Sequence, residues 1–295
     1  MTPALQVSSR PAFVSLKLLS VAALIVACYA PALRSLALEW MRNDDMGHGF
    51  FVPLVAGYIV WQKRDELLAT PARTNWWGLL LVLVGAAQSL LATLGVELFL
   101  SRSAVIVTLA GAVWTLWGTE WLKKLAFPLV LLFFMVPLPA VIYNSITFPL
   151  QLRASQLADG ALTLLSVPVL REGNILELPS GKLSVVEACS GIRSLLSLGF
   201  LSLVYGYFFE KSTPLRTLLF ISTVPIAILT NGARVTLTGI LSQIKPELAS
   251  GFFHESTGWV MFMLALGVMV AFHRIVLFAG RRIAGRQIGP KESVA

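Results

Sequence analysis

Three side chains of the types used in nucleophilic catalysis are spread over the second half of the chain. The first, Cys189, lies in "VVEACSGIRSLLSLGF", where an apolar strand-like run gives way to a helix-like run. The unpartnered amides and the positive dipole of a helix start favour a thiolate over a thiol. Position alone favours a small packing residue, so the chemical hypothesis depends on partners elsewhere in the chain.

The other two side chains are an arginine and a histidine. Arg234 lies within the apolar run "PIAILTNGARVTLTGIL", where an arginine costs about 2.5–3.5 kcal/mol on insertion scales. Thr230, Asn231 and Gly232 precede it and indicate a polar pocket, in which a guanidinium binds a carboxylate or stabilises an oxyanion. His254, in "GFFHESTGWVMF", is a candidate general acid and base. The alternatives are a snorkelling arginine and an interfacial or capping histidine.

The composition indicates which kind of protein positions these residues. Of 295 residues, 56% are hydrophobic and 13% are charged, whereas soluble domains carry about 25% charged residues. The apolar residues form long runs, which predicts an all-α polytopic membrane protein. The net charge of +8 comes from short clusters between these runs, as orientation signals do, and nucleic-acid binding is not expected.

Eight transmembrane helices are predicted. They cover residues of about 13–32, 49–62, 75–95, 98–118, 124–142, 190–209, 215–241 and 255–279. The second is short for a bilayer core of about 30 Å. Lysine and arginine concentrate in the loops after the even-numbered spans and in the C-terminal tail, which places both termini inside.

The longest connection, about residues 144–189, then lies outside. Its first part, "SITFPLQLRASQLADGALTLLSV", is helix-periodic and predicts an amphipathic helix on the outer face. A ninth span is the alternative, but it would break the charge pattern. The following "PVLREGNILELPSGKLSVVEA" predicts a small β-hairpin. Residues 1–295 are interpreted as a single membrane-embedded domain.

This topology brings the three candidates to one level. Cys189, Arg234 and His254 all fall at the outer membrane boundary, although they are far apart in sequence. Together they meet the requirements for a nucleophile, an oxyanion stabiliser and a proton carrier. The convergence favours acyl-transfer chemistry on a cysteine.

Four further residues are candidates for substrate binding. Arg193 lies four residues after Cys189 on the same helix face, where it holds a substrate carboxylate or pairs with Glu187. His48, in "DDMGHGFFVP", lines the same cleft or caps the second span. Asn231 belongs to the polar segment before Arg234.

No metal or cofactor is expected. The three histidines fall on two predicted sides and do not form a ligand set. His273, toward the inner end of the last span, is interpreted as interfacial beside Arg274. Cys28 lies inside an apolar run and is interpreted as a small hydrophobe, so no disulfide to Cys189 is expected.

The motifs "VVEACSGIRSL", "NGARV" and "FHESTGW", in that order, resemble the exosortase/archaeosortase family of membrane transpeptidases. "GHGFFVPLVAGYIVWQKR" and "FMVPLP" also resemble it, and the likeness covers about residues 45–260. The resemblance implies that Cys189, Arg234 and His254 are catalytic. It further implies a bacterial inner-membrane enzyme, associated with exopolysaccharide biosynthesis, that processes exported proteins. In exosortases the sorting signal is a C-terminal Pro-Glu-Pro motif followed by a transmembrane helix and a basic tail.

Two alternatives to transpeptidation follow from the same residues. A cysteine protease would release the product to water, and the acceptor is not encoded in this chain. A transporter or polysaccharide-export component would use Arg234 and His254 to line a pathway. A transporter requires a polar route through the inner half of the membrane as well. No carboxylate lies deep in a predicted span, however, and no inverted repeat is present.

Overall fold

The computed structural model describes residues 11–185, 192–245 and 251–287, with side chains for residues 19–185, 192–245 and 256–281. Helices dominate these residues, and one small sheet accompanies them. The prediction of an all-α membrane protein with a small β element is confirmed. The chain forms two compact units, Met1–Pro139 and Ala140–Ala295. The interpretation of residues 1–295 as a single domain stays a prediction.

The first unit is helical throughout its described elements. They are α1 (Pro11–Cys28), α2 (Ala30–Arg42), a 3₁₀ helix (Asp44–Phe50), α3 (Phe51–Gln62), α4 (Arg64–Leu68), α5 (Trp77–Leu94), α6 (Leu98–Trp117), α7 (Thr119–Leu131) and a second 3₁₀ helix (Leu132–Met135).

Helices α5 and α6 form a close antiparallel pair because glycines remove side chains from their interface. A Cβ atom added to Gly111 would lie 2.6 Å from the amide nitrogen of Val82. Gly78 and Gly85 lie equally close to α6. Small residues at such positions let the backbones of membrane helices approach closely. Van der Waals packing then stabilises the pair, because lipid provides no hydrophobic driving force for helix association.

The second unit combines helices with the sheet. Its described elements are α8 (Ala140–Leu164), β1 (Leu170–Glu172), β2 (Ile175–Leu178), β3 (Gly181–Ser184), α9 (Ile192–Phe209), α10 (Thr213–Ile244) and α11 (Gly251–Gln287). The strands are antiparallel in the order β1-β2-β3. Two-residue loops join them, and Gly173 supplies a φ of +65° at the first loop position. The predicted hairpin is thus extended by a third strand.

Two buried clusters hold the second unit together. The first joins α8, the sheet and α10, and contains Ala154, Ala158, Leu162, Leu176, Leu178, Val185 and Val235. The second joins α9, α10 and α11, and contains Leu198, Leu219, Ile226, Ala265 and Met269. Helix α10 therefore packs on the sheet with one part of its length and on α9 and α11 with another.

Helix length and apolar composition identify the candidate membrane spans. Five helical segments qualify: Trp77–Leu94, Leu98–Trp117, Ile192–Phe209, Thr213–Ile244 and Ser256–Arg281. Two pairs of helices raise the number to seven if each pair counts as one span: α1 with α2, and α7 (with the second 3₁₀ helix) with α8. This agrees roughly with the expected eight. The difference is the segment 49–62, because α3 has 12 residues and a rise of about 18 Å.

Candidate active site

Arg234 lies on α10, in the half that packs on the sheet, and its guanidinium contacts α11. A Cβ atom added to Gly258 would lie 3.1 Å from Nη2 and 3.2 Å from Cζ of Arg234. The guanidinium therefore rests on helix backbone at a position that has no side chain. The Thr238 hydroxyl donates a hydrogen bond to the Arg234 carbonyl, 3.0 Å away. The Arg234 side chain therefore packs between α10 and α11. A snorkelling arginine would instead extend along the lipid surface.

His254 is part of α11, and its backbone is described. It precedes Gly258 by four residues, so both positions share one face of the helix, about 6 Å apart along the axis. The face of α11 that carries position 254 is therefore the face that meets the Arg234 guanidinium one turn later. Two of the three predicted catalytic positions thus lie on adjoining helix faces.

Cys189 and Glu187 lie outside the described residues. The described residues on either side of this segment, Val185 and Ile192, are both fully buried. Val185 belongs to the same cluster as Val235, the residue that follows Arg234. Cys189 follows Val185 by four positions in the sequence.

The polar segment before Arg234 is buried as a group. Asn231 and Thr230 are 6% and 8% exposed, and the Thr230 hydroxyl donates to the Ile226 carbonyl at 2.8 Å. Gly232 lies against α8, where an added Cβ would be 2.9 Å from Cβ of Leu157. The segment "TNGAR" therefore combines the buried amide of Asn231 with a close contact between Gly232 and helix α8.

Arg193 and His48 occupy different settings. Arg193 is exposed in the first turn of α9. His48 belongs to the first unit, where Nε2 lies 3.1 Å from the Phe134 carbonyl oxygen. Burial lowers the pKa of His48 from its usual value, although the bond to Phe134 opposes this shift. Trp40 donates to the neighbouring Met135 carbonyl at 2.9 Å, so His48 helps to fix the segment after α7. Its role toward substrate stays a prediction.

A buried polar network, which the sequence did not indicate, surrounds His273. This histidine is 4% exposed and is not the interfacial residue that was expected. Its Nδ1 lies 3.1 Å from Oη of Tyr205, and its Nε2 lies 3.1 Å from Oε2 of Glu210. Glu210 also accepts from the Ser212 amide at 2.7 Å. The network joins α9, the α9–α10 turn and α11.

The described parts of the chain contain no group of three or more His, Cys, Asp or Glu side chains that could hold a metal ion. What they contain is a cation held between two spans, a buried amide one turn away, and a position for a proton carrier on the facing helix. This arrangement suits the stabilisation of a developing negative charge by a preorganised donor.

These features define a multi-span membrane protein with a small antiparallel sheet packed on its helices. The chain belongs to the transmembrane exosortase family, whose family model matches residues 40–271. The family resemblance drawn from the motifs is therefore confirmed. The matched range includes every predicted site position, from His48 to His254. No curated protein and no solved structure matches the chain.

Proposed function

We propose that this exosortase is a cysteine peptidase and transpeptidase that cleaves the C-terminal Pro-Glu-Pro sorting signal of exported proteins. Its substrates are membrane-anchored precursors in which the signal precedes a transmembrane helix and a basic tail. The enzyme lies in the bacterial inner membrane with both termini in the cytoplasm, and the reaction takes place at the periplasmic face. Its products enter a pathway associated with exopolysaccharide.

One observation carries this proposal. The Arg234 guanidinium lies against Gly258, one helical turn from His254, and Val235 shares a buried cluster with Val185, four residues before Cys189. These contacts support the proposal that the three residue types that acyl transfer requires meet in one region.

The chemistry assigns one role to each residue. The Cys189 thiolate attacks the scissile carbonyl carbon, and the resulting oxyanion is stabilised by the guanidinium of Arg234. The peptide C–N bond breaks as His254 protonates the leaving amine, which leaves a thioester on Cys189. His254 then removes a proton from the acceptor, which attacks the thioester and releases the thiolate. Each proton that His254 gives in the first half returns to it in the second.

Substrate binding is assigned to residues around this centre. The exposed Arg193, in the first turn of α9, is placed to bind the glutamate of the signal, with Glu187 as its partner in the empty enzyme. The buried amide of Asn231 supports the carbonyl-binding pocket beside Arg234. His48 is assigned to the same cleft as a substrate contact.

The proposal is tested by co-expressing the protein with a precursor that ends in Pro-Glu-Pro, an apolar helix and arginines. On immunoblots, Cys189→Ala should abolish processing of the precursor, whereas Cys28→Ala should process it as the wild type does. Mass spectrometry of the new C-terminus separates the two acceptors: a free carboxylate indicates water, and an added lipid or glycan indicates transfer. Continued cleavage by the Cys189→Ala variant would refute the covalent mechanism.

A further inference from the structure

The outer edge of β3 presents backbone groups that point away from the rest of the sheet. The Val185 amide donates to the Asn174 carbonyl at 3.0 Å, and the antiparallel register pairs Leu183 with Leu176. Because hydrogen-bonded residues alternate along a strand, the amides and carbonyls of Lys182 and Ser184 face the opposite edge. Within the described ranges, β3 pairs with β2 alone, and no backbone hydrogen bond reaches Lys182 or Ser184.

Buried side chains of the sheet fix the position of this edge. Leu176 and Leu178 of β2, and Val185 just after β3, are at most 7% exposed and pack on α8 and α10. The edge itself remains accessible, since Gly181 and Lys182 are exposed and Ser184 is half-buried. A strand supported on one side and open on the other is a template for an added strand.

The charge on β3 does not block the edge. The Lys182 ammonium forms a salt bridge with Glu177, its cross-strand partner on β2. This contact ties the ammonium to the neighbouring strand β2, and the Lys182 side chain is 72% exposed. An open edge near the bilayer is costly unless a partner or water satisfies it.

We infer that the edge of β3 binds the extended segment of the substrate next to the scissile bond, as an added β-strand. This inference rests on the proposed function, because it assigns the binding mode of the same site. The chain passes from Ser184 through Val185 to Cys189, which lies five residues beyond the end of β3. A peptide seated on β3 is therefore delivered to the segment that carries the nucleophile.

The alternation of a strand explains which peptides this edge accepts. Residues two apart direct their amides to the same side, so the two prolines of Pro-Glu-Pro have their missing N–H groups on one side. The amide and carbonyl of the intervening glutamate lie on the other side. The signal can thus pair with β3 through its glutamate, while the prolines face away and prevent a further strand from adding.

A proline substitution tests the edge directly. Ser184→Pro removes an outward-facing N–H without removing a bond to β2, and should lower the rate of processing about tenfold, while Ser184→Ala should not. The matched control is Arg171→Pro against Arg171→Ala, at the outward-facing position of β1, where the two variants should process equally. Wild-type processing by a folded Ser184→Pro variant would overturn the inference.

Oxidative cross-linking gives a second readout that does not depend on catalysis or on the proline variant folding. In a chain that carries Cys28→Ser, Cys189→Ala and Lys182→Cys, single cysteines are scanned along the signal of the precursor. A paired strand predicts disulfides at alternate positions, because cross-strand partners on one face are neighbours. Cross-links without alternation, or none, would overturn the inference. Processing by Cys189→Ala, by contrast, would refute the proposed function itself.

Discussion

The guanidinium of Arg234 rests on the backbone of Gly258, at a point where any side chain would displace it. An added Cβ would lie 3.1 Å from Nη2, tighter than ordinary van der Waals contact. The glycine of "HESTGW" therefore positions the arginine of "NGARV", and these two segments meet at this contact. In the proposed mechanism Arg234 is the oxyanion donor, which must be placed to within a fraction of an ångström, and Gly258 permits this placement.

Gly258→Ala should consequently lower catalysis without unfolding the protein. The methyl group would displace the guanidinium by a few tenths of an ångström, and we expect a fall of about three- to tenfold in kcat, since a 1 Å misplacement can cost about 100-fold. Processing rates measured with purified enzyme and precursor check this result. Gly267→Ala on the same helix, where an added Cβ has no neighbour within 4 Å, is the control. Equal rates for the two variants would show that the contact does not matter for catalysis.

His48 predicts a pH dependence of stability in the first unit. Burial lowers the pKa of His48 below 6.5, so between the folded and unfolded pKa values the unfolded chain binds more protons. The contribution of neutral His48 to the free energy of unfolding is fully present above about pH 6.5. It is lost as the pH falls through the pKa of His48 in the folded protein.

Thermal unfolding of the detergent-solubilised protein between about pH 7.5 and about pH 5.5 measures this effect. The wild type should lose more stability on acidification than His48→Gln, which retains a side-chain donor for the Phe134 carbonyl but does not titrate. Parallel pH profiles for the two proteins would argue against the shift.

The network at His273 should stabilise the helices that carry the candidate site. Tyr205→Phe removes one hydrogen bond and should cost about 1 kcal/mol, whereas His273→Ala leaves Glu210 and Tyr205 without this partner and should cost about 1–3 kcal/mol. Denaturation midpoints of the purified protein check both values. Arg274→Ala, at an exposed neighbour on α11, is the control. A smaller effect for His273→Ala than for Tyr205→Phe would contradict this account.

Much of the architecture follows from sequence because its signals are local. Apolar runs defined the spans, and "EGN" and "PSG" marked the two tight turns of the sheet. The helix expected between the fifth span and the sheet is α8, and it qualifies as part of a span only together with α7. The polar segment before Arg234 was likewise visible, since a cation and an amide are costly within an apolar run.

What the sequence did not reveal depends on distant partners. His273 looked interfacial because its neighbour is Arg274, but its hydrogen-bond partners lie 68 and 63 residues earlier in the chain. Nothing in the sequence singled out Gly258, because the arginine that contacts it belongs to another helix. The two turn signals permit three strands, but the pairing register also depends on packing against α8 and α10.

The most direct test of the central claim is detection of the acyl-enzyme. Purified protein is incubated with the precursor, quenched in acid and analysed by intact mass spectrometry, with hydroxylamine treatment to release thioesters. We predict an adduct of the cleaved precursor that hydroxylamine removes, that maps to Cys189, and that persists in Cys28→Ala but not in Cys189→Ala. A precursor cleaved at the wild-type rate by Cys189→Ala, with no adduct in the wild type, would contradict the account.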